Sequence, residues 1–289
     1  MTTLDPHRQA NQDNWNDRVP VHASSNTYDL DGFVTDPNRL SGVVDFDQHA
    51  VGDVTGLRLV HLQCHIGTDT LSWARLGAEV TGYDFSAPAL AVARDLAERA
   101  GLAAEFVEGE LYDAPTKLPN GAFDVVYTGT GAINWLPDIR RWVDVVSALL
   151  APGGRLLIRE GHPILWALDH DRTDTELVVA TPYFETVDPL RWDDPGTYTD
   201  NSADTELTHS TTYEWNHGIG EILTAVLDAG LAIEQFREHR EVEWQPWGLF
   251  EPAGDTGRYV LPAHLRDRVP LMYTLVARKA GARPAPDED

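Results

Sequence analysis

The chain has 289 residues, enough to bury a full core as one large domain or two small ones. Its net charge of −24, from 22 basic and 46 acidic residues, repels phosphate backbones and argues against nucleic acid as a partner. No apolar run approaches the ~20 residues needed to span a bilayer, so no membrane association is expected, and a lone cysteine, Cys64, excludes an internal disulfide.

The leading stretch MTTLDPHRQANQDNW has neither a basic flank nor an apolar run, so it does not read as a signal peptide. With a single thiol, the expected setting is a reducing cytoplasm. Residues 1–55 read as polar and irregular, with one short helix around QANQDNWNDR.

From residue 56 strands and helices alternate. GLRLVHL (56–62) is a strand, and TDTLSWARLG (68–77) a helix closed by a glycine. AEVTGYD (78–84) is a second strand. SAPALAVARDLAERAG (86–101) is a helix with Ser86 as N-cap, Pro88 in its first turn and Gly101 after its end. AAEFVEGE (103–110) and FDVVYTGT (123–130) are further strands. WLPDIRRWVDVVSALLAPGG (135–154) is a helix with a turn, and RLLIRE (155–160) a fifth strand. This rhythm predicts an α/β fold with a doubly wound, mostly parallel sheet. Right-handed crossovers then bring the loops after the first, second and fourth strands to one edge, where ligands sit in such folds.

The rhythm breaks over 161–216, which is rich in Asp, Thr and Pro and has β-like pieces at 176–187 and 206–215. It returns with a helix at 218–230 and strands at 231–239 and 270–279. The expected organisation is a core at 56–160, an inserted cap at 161–216, the rest of the core at 217–280 and a disordered tail at 281–289.

In LVHLQCHIGTDTLSWARLGAEVTGYDFS (59–86), Gln63 and His65 stand where a nucleotide-binding loop usually has its first two glycines. Asp84 follows 21 residues after Gln63, at the end of the second strand, where a carboxylate can accept both ribose hydroxyls of an adenosine. A dinucleotide pyrophosphate needs close approach to the loop backbone, which a bulky His65 obstructs. A nucleoside cofactor with a sulfonium and an amino-acid end makes no such demand.

On these residues the chain resembles the class I, Rossmann-like S-adenosylmethionine-dependent methyltransferases, and within them a bacterial branch with an LQCHxG first motif. The resemblance covers 56–160 well and the C-terminal elements more loosely. In HLQCHIG, His61 replaces the family's acid. It implies a seven-stranded sheet, S-adenosylmethionine as cofactor and methyl transfer to a small organic acceptor at oxygen or nitrogen. It also implies that Gln63, Cys64, His65 and Gly67 surround the methionine part, with Asp84 and Ser86 at the ribose and Phe85 against the adenine. Glu110 and Leu111 fall where the family contacts the adenine amino group, and Thr128 and Gly129 where it lines the sulfonium. Residues 1–55 correspond to a lid over the cofactor, with Arg18 toward the methionine carboxylate and Trp15, His22 and Tyr28 as lid residues.

His61 and His65 fall on a strand and a loop, so their spacing does not make a metal site, and none is expected. Cys64 fits a buried core thiol better than a nucleophile. Of nine tryptophans, Trp15, Trp166, Trp192, Trp215, Trp244 and Trp247 lie outside the sheet and its helices, either fastening the insert or walling an acceptor pocket. His162, after the fifth strand, is the candidate general base, with Glu160 or His217 to orient or replace it. Two other function classes fit the pattern: a nicotinamide-dependent oxidoreductase on the same fold, and a regulatory protein that binds the cofactor without transfer.

Overall fold

The first 55 residues, expected to be irregular, form three helices: α1 (Pro6–Ala23), α2 (Leu30–Thr35) and α3 (Gly42–Val51). Each begins at a side-chain cap, with Asp5, Asp29 and Ser41 accepting backbone N–H groups of the first turn. Helix α1 has little apolar periodicity because its buried face carries asparagines. Asn11 and Asn14 are buried and bond to backbone, Asn11 through both amide atoms to Tyr213 and Asn14 to the His209 carbonyl. The computed structural model describes residues 4–172, 174, 176–202 and 206–281. The expected disordered tail, from 282 on, lies outside the described residues.

The alternating region gives β1 (Arg58–Leu62), α4 (Thr68–Arg75), β2 (Glu79–Asp84), α5 (Ala87–Ala100) and β3 (Ala104–Glu108). It continues with a short α6 (Ala114–Lys117), β4 (Phe123–Thr128), α7 (Ile139–Leu149), β5 (Leu150–Gly161) and a five-residue α8 (Pro163–Ala167). The chain then forms a hairpin, β6 (Leu190–Asp193) with β7 (Thr211–Glu214), which packs along α1. The piece at 176–187 is not a strand; only an isolated bridge links Val179 to Leu168. Helix α9 (Ile219–Asp228) and β8 (Leu231–His239) return to the core. A second excursion, not foreseen from the sequence, carries β9 (Glu241–Val242), β10 (Glu251–Pro252) and β11 (Tyr259–Val260) in a small antiparallel sheet before the last strand, β12 (Met272–Lys279).

The main sheet has seven strands in the order β3-β2-β1-β4-β5-β12-β8, with β12 antiparallel to both its neighbours and the rest parallel. One face buries Val60 and Leu62 of β1 against Trp142 and Val146 of α7 and Ile222 and Val226 of α9. The other buries Leu59 against Trp73 of α4 and Val44 of α3. Chain order reverses between β1 and β4, which opens a crevice at the C-terminal ends of these two strands.

Helix α3 is joined to the sheet by a buried ion pair. Asp47 accepts from Nε of Arg159 on β5 and, at 2.7 Å, from the Tyr127 hydroxyl on β4. The Arg159 and Asp47 side chains are 1% and 0% exposed. Burial pushes the Asp47 carboxyl up, and the guanidinium opposes that shift. Replacing Arg159 by Met strands this acid, and the expected cost is about 3–5 kcal/mol of stability. Urea denaturation measures it, and an unchanged midpoint contradicts the role given to the pair.

Candidate active site

The crevice opens into a cavity of about 1050 Å³, including its mouth. Its floor is the loop after β1, its sides are the ends of β2, β3 and β4, and its roof is α1 with the β6–β7 connection. Gln63 and His65 both have left-handed backbones, φ 58° and 47°. The loop therefore makes the turn that glycines allow at no steric cost, while keeping two side chains. Gln63 Nε2 donates to the Ala132 carbonyl at 2.9 Å, tying the β1 loop to the β4 loop, and its Oε1 is buried without a partner.

Asp84 holds this loop in place. Its two carboxylate oxygens accept from the His65 and Ser86 backbone N–H groups, each at 2.8 Å. Burial raises its carboxyl to about 6 against the pull of those donors. Ser86 caps α5 through Ala89 and donates to Asn16 of α1 at 2.7 Å, while the Phe85 carbonyl accepts from Gln12. Glu110 accepts from the Tyr112 N–H and pairs with Arg8 of α1. Helix α1 thus straps the cavity at Glu110, Phe85 and Ser86. Farther along, His22 meets His65, ring nitrogen to ring nitrogen, at 2.8 Å. Burial lowers both imidazoles, to about 2 and about 3 respectively, so both are neutral at ordinary pH.

Gln63, Cys64, His65, Asp84, Phe85, Ser86, Glu110, Leu111 and Gly129 all line the cavity. Gly67 does not. It precedes α4 with φ 81°, and a β-carbon there would lie 2.7 Å from that of Ala93, so the glycine serves close helix packing. Thr128 ends β4 fully buried, behind the wall that Gly129–Ala132 form. Arg18 is also displaced from its expected place. It donates to Asn14 and lies over the Trp15 ring without joining the cavity lining, and Arg8 is the guanidinium in the wall. The Cys64 thiol is buried beside Asp84, and burial pushes it well up, away from a nucleophilic thiolate.

The three candidates for acid–base work lie outside the cavity lining, and each is engaged elsewhere. Glu160 accepts from the backbone N–H groups of Gly131, Ala132, Ile133 and Gly161, so it shapes the β4 loop. His217 is fixed between Glu185 and the Ile133 and Leu136 carbonyls. His162 caps α8 through Ile164 and faces Glu238 of β8 at 3.2 Å. His162 follows β5, and its backbone N–H donates to the Leu271 carbonyl at 2.8 Å beside β12, so its ring lies toward Glu238 of β8 and not in the cavity lining.

Of the six tryptophans placed outside the core, only Trp15 lines the cavity. Trp166 stacks on Trp244 and Trp247 on His170, in the apolar cluster under the second excursion. Tyr28, Tyr83, Phe85, Trp135 and Tyr198 add to the aromatic wall, with the Tyr28 and Tyr198 hydroxyls 2.6 Å apart. Sequence reasoning also missed Asp69, an acid in the first turn of α4 two residues past Gly67, which lies between two threonines and carries no signal in the pattern of residue types.

Residues 60–156, from β1 to β5, match the family model described as "Methyltransferase domain". The chain is 42% identical over 87 residues to a demethylmenaquinone methyltransferase of Thermus thermophilus, covering 30% of this chain and 38% of that protein. It is 30% identical over 134 residues to a ubiquinone biosynthesis O-methyltransferase of Pectobacterium carotovorum, covering 46% and 55%. The matched stretch thus spans about half or less of these curated relatives. An S-adenosylmethionine dependent methyltransferase from Mesorhizobium loti shares the fold, with a TM-score of 0.57 and 23% identity over 86% of this chain and all of that one. Among the described residues no helix is long and apolar enough to cross a membrane.

The left-handed turn at Gln63 has a direct test in stability. Gln63→Gly is expected to match or exceed the wild-type melting temperature, while Gln63→Val, β-branched at positive φ, loses roughly 1–2 kcal/mol or more. Equal stability of the two variants contradicts the turn.

Proposed function

We propose that the protein is an S-adenosylmethionine-dependent methyltransferase acting on a small organic molecule. The observation that carries this reading is a loop with left-handed backbone at two bulky residues, anchored to an acid at the end of β2 and lying within a segment similar to methyltransferase domains. The cavity residues fit such a cofactor. Each Asp84 oxygen accepts one backbone bond and keeps a lone pair for a ribose hydroxyl. Gln63 Oε1, buried without a partner, suits an ammonium donor at the methionine end. Glu110 and Leu111 line the same cavity and suit the adenine end, and Gln63 and His65 carry side chains where a pyrophosphate-binding loop has glycines.

The bound cofactor supplies a methyl group activated on a sulfonium. The chain's own contribution is to hold nucleophile, methyl and sulfur in line and to exclude water beneath α1. The Thermus and Pectobacterium relatives are named for quinone-related methylations, which favours a flat, apolar acceptor against Trp15, Tyr28 and Trp135.

Calorimetry tests the cofactor. Binding of S-adenosylmethionine and S-adenosylhomocysteine is expected, with no binding of NAD or NADP. Asp84→Asn weakens a charge-assisted pair of bonds worth about 1.5–3 kcal/mol each, so a loss of affinity of about tenfold or more is expected. Unchanged affinity overturns the ribose assignment, and binding of NAD alone overturns the function. Release of S-adenosylhomocysteine from a metabolite extract with labelled cofactor separates transfer from mere binding.

A further inference from the structure

Between α3 and the ends of β5, β8 and β12 lies a second cavity, of about 670 Å³ including its mouth. One wall comes from the excursion between β8 and β12, which falls outside residues 60–156 and gives no residue to the lining of the first cavity. Two ion pairs face the space. Arg159 Nη1 donates to Glu243 Oε1, and Arg258 Nη1 donates to Glu241 Oε2 at 3.2 Å. The Arg159 and Glu243 side chains are 1% and 23% exposed, those of Arg258 and Glu241 29% and 44%, so the first pair stands at the back and the second near the mouth. Both guanidiniums lie against the Phe46 ring, 4.7 and 4.6 Å from its centre, which holds Arg258 beside Arg159.

Each pair is joined by a single bond, which leaves hydrogen-bonding capacity of both signs. Arg159 gives Nε to Asp47 and Nη1 to Glu243, and its Nη2 is buried without a partner. Glu243 Oε2 is buried without a partner as well. Unpaired buried atoms of charged groups are costly, so these two mark where a ligand's polar atoms belong. Glu238 and Arg240 add one charge of each sign to the lining, and burial lowers the His239 imidazole, so it adds none. The wall therefore carries three guanidiniums and three carboxylates. A simple anion meets the carboxylates at close quarters, and a simple cation meets the guanidiniums. A ligand with both charges meets a partner for each.

From this arrangement we infer that the cavity is a second ligand site, which takes a small zwitterion: a free α-amino acid with an apolar side chain. Its carboxylate accepts from Arg258 and from Arg159 Nη2, and its ammonium donates to Glu243 Oε2 and Glu238. Both sets of bonds are charge-assisted, and no charge is left over. In an α-amino acid the two charged groups sit on one carbon, which suits Arg159 and Glu243 because these are themselves in contact. Phe46 and Met272, the apolar members of the lining, receive the side chain. The site does not depend on the methyl-transfer reading, since none of these residues lines the cofactor cavity.

L-Leucine is the probe, with L-leucinamide, which keeps the ammonium alone, and 4-methylpentanoate, which keeps the carboxylate alone, as comparisons. Binding is read by calorimetry in protein saturated with S-adenosylhomocysteine, so that the first cavity is filled. Wild type is expected to bind leucine at least about tenfold more tightly than either comparison. Glu243→Gln is expected to bring leucine down to within a few-fold of 4-methylpentanoate, and Arg258→Gln to within a few-fold of leucinamide. Arg258 is partly exposed and away from the buried pair with Asp47, so its variant is expected to keep the wild-type melting temperature and decides the matter if Glu243→Gln does not fold. Leucine bound no more tightly than the comparisons, or not bound at all, overturns the proposal and leaves the unpaired atoms to water. A leucine preference that survives in Arg258→Gln also overturns it, because the ligand then sits elsewhere. Failure of wild type to bind S-adenosylhomocysteine defeats the function reading instead, and the same series in protein without it still judges this cavity through Arg258→Gln.

Discussion

Asp84 and the loop after β1 constrain each other, and the cavity follows from that pairing. The loop turns through two left-handed residues that carry side chains, a conformation costing roughly 1–2 kcal/mol at each without compensation. Compensation comes from the His65 N–H on Asp84, from the Gln63 amide on the Ala132 carbonyl and from the His65 ring on His22. Each of these bonds reaches a different element: β2, the β4 loop and α1. A glycine loop makes the same turn without such anchors, but it brings no side chains to the cavity. Here the substitution of glycines exchanges backbone ease for contacts that join floor, wall and roof.

The roof is polar where most buried helices are apolar. Helix α1 is held by side-chain bonds to backbone and by the Arg8–Glu110 pair, with no broad apolar stripe. Such contacts are directional, so they fix the register of α1 over the crevice. They also leave little non-directional burial to hold the helix if those bonds are broken. The core beneath depends on a different device, the Arg159–Asp47–Tyr127 chain, which joins α3 to the sheet and ends beside Gly129 of the cavity wall. Scaffold and site therefore share one buried electrostatic network.

The sheet was legible because period-two and period-3.6 patterns are strong between Arg58 and Gly161, and helix caps such as Ser86 and Gly101 are marked by residue type. The positions of Gln63, His65, Asp84 and Glu110 followed from topology, since loops after parallel strands must meet at one edge. Of the N-terminal helices only the middle of α1 was legible, as a short helix around QANQDNWNDR. Asn11 and Asn14 look like surface residues until β7 supplies their partners from two hundred residues away. His162 misled for a similar reason: its place after β5 is at the right edge, but its ring is taken up by capping α8 and by Glu238, a partner far along the chain. Arg18 and Arg8 lie on one helix ten residues apart, and only the angle at which α1 crosses the sheet decides which reaches the cavity.

A crystal structure with S-adenosylhomocysteine tests the account most directly. It is expected to show the ribose hydroxyls on Asp84, the adenine beside Leu111 and Glu110, and the amino-acid end over Gln63 and His65 with both residues still at positive φ. A nucleoside bound elsewhere, or one bound here with the Gln63–His65 turn rearranged to right-handed backbone, contradicts the claim that this loop is a built cofactor site.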